Sequence, residues 1–150
     1  MKKFLFVFIL SSIVADCFAQ LENPVKWNFS AKKINATTYE VHLTAKIEDE
    51  WHIYSQTTPD GGPVATSISF NKNPLLSLDG AVKESGKLEE HFEELFGVQV
   101  KQFSDKVEFI QTVKLKTKVK TNVTGSVEFM TCNDHQCMPP KTISFNISLK

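Results

Sequence analysis

Alternation with a period of two dominates this chain and leaves few folds open to it. Tyr39, Val41, Leu43, Ala45 and Ile47 alternate with Glu40, His42, Thr44 and Lys46, and only an extended strand places the first set on a core and the second in water. Val107, Phe109, Val113, Leu115 and Val119 repeat the pattern, with Lys114, Lys116, Lys118 and Lys120 on the opposite face as a solvated surface that discourages edge pairing. Val123, Val127 and Phe129 follow, then Ile143, Phe145, Ile147 and Leu149. Shorter strands are predicted over Val25 to Ser30, Trp51 to Tyr54, Ala65 to Phe70 and Val98 to Phe103. The exception is Leu88 to Gly97. There Leu88, Phe92, Leu95 and Phe96 fall at helical spacing, and Glu89, Glu90, Glu93 and Glu94 form the wet face of a short amphipathic helix. Seven or eight strands, with no alternating set of long helices, predict an all-β, immunoglobulin-like antiparallel sandwich. A chain of 150 residues is sized for one such core.

The amino terminus reads as an export signal. Met1-Lys2-Lys3 gives a positive start, Phe4 to Ala15 an apolar run, and Cys17-Phe18-Ala19 the small residues a signal peptidase accepts. Cleavage is expected after Ala19, leaving residues 20–150 as one domain, periplasmic or secreted. Ser11, Ser12 and Asp16 interrupt the run and argue against a membrane span, and no other stretch is apolar enough for one. Lipidation at Cys17 is the alternative, opposed by Asp16 at a position that normally holds a small residue. Without residues 1–19 the remaining cysteines are Cys132 and Cys137, in a compartment where disulfides persist.

Charge narrows the function. Seventeen basic residues balance seventeen acidic ones, and every basic residue is Lys. There is therefore neither a field for nucleic acid nor a guanidinium fork for phosphate, and no nucleic-acid partner is expected. No Gly-x-Ser-x-Gly elbow, His-Glu-x-x-His pair or phosphate-cradling glycine loop appears. The chemistry concentrates in Thr131-Cys132-Asn133-Asp134-His135-Gln136-Cys137-Met138-Pro139-Pro140-Lys141. Two cysteines four residues apart at the junction of two strands can close a disulfide. As a staple the bond is poorly placed, since a six-residue ring contributes about 2 kcal/mol against roughly 4.7 for a hundred-residue loop. Near a surface, a partner's thiolate can reach it. Two other readings stay open. Cys132, His135 and Met138, with His91 upstream, have the spacing of a copper-binding loop in a cupredoxin-like electron carrier or copper chaperone. A non-catalytic binding sandwich with an inert disulfide is the third. His135 and Lys141 would favour a thiolate and Asp134 would oppose it. Pro139 and Pro140 remove two backbone donors after Cys137, which predicts that they end the hairpin and fix the loop.

This cysteine segment, after a Val-x-Phe strand and before the last strand, resembles the amino-terminal domain of the thiol:disulfide interchange protein DsbD. The likeness runs from about Val25 to Leu149. Its specific part is the cysteine pair followed by Pro-Pro; Trp51-His52-Ile53-Tyr54 and Phe96-Gly97 add weaker support. The resemblance implies an immunoglobulin-like fold and a relay of reducing equivalents. These would pass from a thioredoxin-like domain or membrane electron donor to oxidised periplasmic proteins, with no cofactor and no metal. It implies that Cys137 forms the mixed disulfides and Cys132 resolves them. It further implies a cap loop at Glu93-Glu94-Leu95-Phe96-Gly97, with Phe96, or failing it Leu95, shielding the pair, and Tyr54 as an aromatic beside the hairpin. Two departures stand out. Four residues separate the cysteines where the familiar domain has five, and the chain stops at Lys150, so its donor is expected on a separate polypeptide.

Overall fold

In the computed structural model, residues 23–94 and 96–149 are described, and they form strands, turns and loops without a helix. The eight strands are β1 (Val25–Lys33), β2 (Thr38–Ile47), β3 (His52–Tyr54), β4 (Ser67–Phe70), β5 (Leu76–Glu93), β6 (Val98–Leu115), β7 (Thr121–Cys132) and β8 (Cys137–Leu149). All pairings are antiparallel. One sheet of order β1-β2-β6-β3-β7-β4, with β5 on β6 and β8 on β7, folds over on itself into the predicted sandwich. Short β3 stitches the layers, pairing β6 on one side and β7 on the other.

The alternation does what its period requires. Tyr39, Val41, Leu43, Ala45 and Ile47 are buried, and Leu43 faces Phe109 and Ala45 faces Val107 across the β2–β6 ladder. Trp27 of β1 closes the space between layers, its ring 5.9 Å from Phe109 on β6 and 5.2 Å from Phe129 on β7. Gly125 lets β4 approach β7, because a Cβ there would collide with the Ser69 carbonyl and come within 2.6 Å of the Phe145 ring.

Four expectations change. Leu88 to Glu93 of the stretch predicted as an amphipathic helix is the end of β5, paired in register with β6 through Leu88↔Phe103 and Glu93↔Val98, and the remainder leads into the hairpin turn. Its apolar stripe has no core to meet: Leu88 and Phe92 are 43% and 55% exposed, so the ladder, not burial, decides the conformation. Glu89, Glu90 and Glu93 accordingly divide between two strand faces, and Glu94 lies in the turn that follows. Val98–Phe103 and Val107–Leu115 are one strand, kinked at Ser104–Lys106, where β6 exchanges β2 for β3 as its neighbour and Asp105 takes a left-handed φ of 60°. Val119 lies in the β6–β7 turn, 44% exposed, with Lys116, Lys118 and Lys120 beside it off the strand. Pro139 and Pro140 do not end the hairpin. They lie within β8, in the bulge where Phe129 pairs Lys141 but Thr131 pairs Met138, so their missing N–H groups interrupt no ladder bond.

Candidate redox site

The strands that carry the cysteines place them face to face. Cys132 ends β7, Cys137 begins β8, and the two pair in register with Cα atoms 4.0 Å apart and their sulfurs joined. Asn133 builds the turn between them. Its N–H donates to the Gln136 carbonyl at 2.9 Å, and its Oδ1 accepts from the N–H groups of His135 and Gln136 at 2.9 and 2.8 Å. The sulfurs are unequally placed: Cys132 is 2% exposed, whereas Cys137 lies on the surface.

The row continues sideways. His52 of β3 pairs Cys132 on one side and Ser104 on the other. Directly opposed residues share a sheet face, so Ser104, His52, Cys132 and Cys137 form a line across four strands. The Thr131 hydroxyl donates to the His52 carbonyl at 3.0 Å and ties β3 to β7 here. Tyr54 is buried beside His52, its hydroxyl 3.1 Å from His52 Nε2 and the two rings edge to face at 5.2 Å. Burial, and then the Glu93 carboxylate, push the Tyr54 phenol up to about 12. Burial also holds the His52 imidazole below its usual 6.5, and His91 adds to this, while Asp134, Glu93 and Glu89 pull the other way.

A cavity of about 510 Å³ opens over this row, lined by both cysteines, His52, Tyr54, His91, Glu93, Phe96, Gln102 and the turn residues Asn133 to Gln136. Phe96 enters from the β5–β6 hairpin. The Glu93 carbonyl accepts from the N–H groups of Phe96 and Gly97 at 3.3 and 2.8 Å, and Gly97 supplies the positive φ of 69° that the turn needs. Phe96 is half-buried in the cavity wall. Leu95, the alternative shield, lies outside the described residues, as do residues 1–19 and Cys17.

The remaining sequence candidates separate. His135 lines the cavity as an exposed turn residue. Met138, Pro139, Pro140 and Lys141 line a different, mainly apolar cavity of about 270 Å³ with Val25 and Phe129, and Lys141 Nζ donates to Asn23 Oδ1 at 3.2 Å. Lys141 is therefore not a neighbour of the sulfurs. The copper spacing does not converge either, because Met138 faces away from His135 and His91. Among the described residues no three His, Cys, Asp or Glu side chains gather as a metal set. Sequence reasoning missed the parts played by His52 and Asn133. His52 stands two residues before Tyr54 on a strand, a spacing that already put both on one face; Asn133 opens an Asn-Asp pair of the kind that nucleates turns.

Comparison with known proteins agrees with this geometry. Residues 19–149 match the family described as "Thiol:disulfide interchange protein DsbD, N-terminal". The crystal structure of the reduced DsbD N-terminal domain from Neisseria meningitidis superposes with a TM-score of 0.54 at 17% identity, covering 83% of this chain and 85% of that one. The same domain in complex with the PilB N-terminal domain gives 0.54 at 17%, covering 85% and 87%. The N-terminal periplasmic domain of ScsB from Proteus mirabilis gives 0.55 at 17%, covering 81% of this chain and 44% of that one. No curated protein sequence matches. The sandwich is thus immunoglobulin-like, as predicted. The chain belongs to the DsbD N-terminal family and is a thiol:disulfide exchange module carrying the Cys132–Cys137 pair.

Proposed function

We propose that Cys137 is the sulfur that exchanges with partners and Cys132 the one that resolves. The observation that carries this reading is the inequality of the pair: a partner's thiolate or disulfide reaches Cys137 from solvent, whereas Cys132 is covered. In the reducing direction the Cys137 thiolate attacks one sulfur of the partner's disulfide, and the other leaves as a thiolate and takes up a proton. The Cys132 thiolate then attacks Cys137 Sγ, re-forming the Cys132–Cys137 bond and releasing the partner's second thiolate. Two electrons and two protons pass to the partner. Phe96 shields the bond between encounters, with Leu95 beside it in sequence. Tyr54 floors the cavity, His135 sits at its rim, and Pro139 and Pro140 shape β8 behind Cys137.

Electrons arrive from a thioredoxin-like domain or a membrane electron donor on a separate chain and leave to oxidised exported proteins; the complex of a related domain with the PilB N-terminal domain supports docking of this kind. The domain, residues 20–150, works in the periplasm or is secreted after cleavage following Ala19. The periplasmic ScsB relative supports that placement, and among the described residues no helix is long and apolar enough to cross a membrane. The test is trapping. Cys132→Ser, expressed with its own export signal, accumulates a mixed disulfide through Cys137 that dithiothreitol dissolves. Accumulation in Cys137→Ser instead, or in neither variant, overturns the assignment.

A further inference from the structure

The residue that directly neighbours Cys132 on the side away from Cys137 has no part in the exchange described so far. We infer that His52 is the general base that takes the proton of the Cys132 thiol during resolution, because it pairs that cysteine in register across β3 and β7 and lines the same cavity. The inference rests on the assignment of Cys132 as the resolving sulfur.

A thiol 2% exposed in an apolar cluster with Tyr54 and Val100 resists ionisation, since burial penalises the anion. Yet resolution requires the thiolate, and the partner remains attached until it forms. Directly opposed antiparallel residues bring their Cβ atoms within about 5 Å, so the imidazole stands beside Cys132 while Cys137 occupies the other flank. The groups facing His52 are Tyr54 on its own strand, His91, Glu89 and Glu93 from β5, and Asp134 from the β7–β8 turn, with Ser104 opposite it on β6. The uncharged ring has a free lone pair when Nε2–H donates to the Tyr54 hydroxyl, leaving Nδ1 to accept. The phenol, being hard to ionise, serves as hydrogen-bond partner and not as a rival base.

The step balances. Cys132 S–H gives its proton to His52; the thiolate attacks Cys137 Sγ in the mixed disulfide; the Cys132–Cys137 bond forms and the Cys137–partner bond breaks; the departing thiolate carries the electron pair and recovers a proton from the imidazolium or water.

Reduced protein mixed with one equivalent of the aromatic disulfide 5,5′-dithiobis(2-nitrobenzoate) releases chromophore twice, first on attack by Cys137 and again on resolution by Cys132. In His52→Gln the second release slows by roughly a hundredfold at pH 7, the low end of general-base effects, while the first stays within about twofold. The pH profile of the second release then moves from an imidazole-like midpoint to an alkaline, thiol-like one. Circular dichroism and the melting temperature of the variant establish that it is folded, and Cys132 alkylation in a Cys137→Ser background, with and without His52→Gln, reads the same thiol by a second route. An unchanged second release and unchanged alkylation profile overturn the role of His52. Absence of the first release in wild-type protein, or its persistence at the wild-type rate in Cys137→Ser, overturns the assignment of the two sulfurs instead.

Discussion

Phe129 and Cys132 are three residues apart on one strand yet belong to different parts of the molecule. Phe129 packs with Trp27, Phe109 and the other buried side chains of β1, β2, β6, β7 and β8. Cys132 belongs to a separate small cluster with Tyr54 and Val100, against which Val98 and Met130 pack. The first region is broad, aromatic and dry. The second is a thin apolar floor beneath a polar cavity, fenced by two hairpins and the His52–Tyr54 hydrogen bond. The difference teaches a division of labour: the large core supplies the free energy that holds the sheet, and the small cluster holds one covered and one exposed sulfur in register without needing to be strong.

Cys137→Ser should have the largest effect, and only on chemistry. Exchange with a model disulfide falls to the background rate, while denaturant unfolding shows a loss no greater than the about 2 kcal/mol that the six-residue ring contributes. A much larger loss of stability would mean that the bond is a staple and that the two regions are not independent. Phe129→Ala is the converse. Removing a buried aromatic of the main core costs about 3–5 kcal/mol, read as a lower urea midpoint, whereas the exchange rate of the folded fraction stays within about twofold, as expected for sites that share no partners. A collapse of exchange in a folded Phe129→Ala protein would break the comparison.

Alkaline titration tests the floor of the cavity. An unfolded tyrosine ionises near 10, and Tyr54 in the fold near 12, so the fold's preference for the neutral phenol is fully present below pH 10 and is lost as pH rises toward 12. At about 1.4 kcal/mol per pH unit the loss is of order 2–3 kcal/mol, and Tyr54→Phe removes that part of the alkaline slope. Phe96→Ala acts on access. It changes stability by less than about 1 kcal/mol, since the ring is only half-buried, but reduced Cys137 reacts severalfold faster with iodoacetamide. Equal alkylation rates would remove Phe96 as a shield.

The two regions also differ in how well the sequence announces them. Tyr39 to Ile47 and Val107 to Leu115 can be read directly because each alternating residue meets a buried face. Cys132 and Cys137 can be read because their spacing fits a hairpin mouth. The β5 end could not be read. Leu88 and Phe92 satisfy a helical spacing and a strand spacing equally, and what chooses is pairing with Val98 to Phe103, a tertiary fact. The same holds for His52: adjacency to Cys132 comes from register between strands nearly eighty residues apart, and no local pattern encodes it. The prolines misled for a related reason. Their lack of N–H donors predicts a strand end, but a bulge absorbs them in the middle of β8.

The smallest expected effect probes His52 itself. In the unfolded chain its imidazole takes a proton near 6.5; in the fold, burial and His91 lower that value, while Asp134, Glu93 and Glu89 limit the shift. Between these two values the unfolded state binds the extra proton, so stability rises with pH there and declines as the solution is acidified from 6.5. His52→Gln cannot protonate and lacks this acid slope, so urea midpoints of variant and wild type converge as pH falls through that window. Parallel midpoints throughout would mean that His52 is as well solvated in the fold as in the unfolded chain, and the polar cavity would then be an open shelf instead of a partly desolvated chamber above the sulfurs.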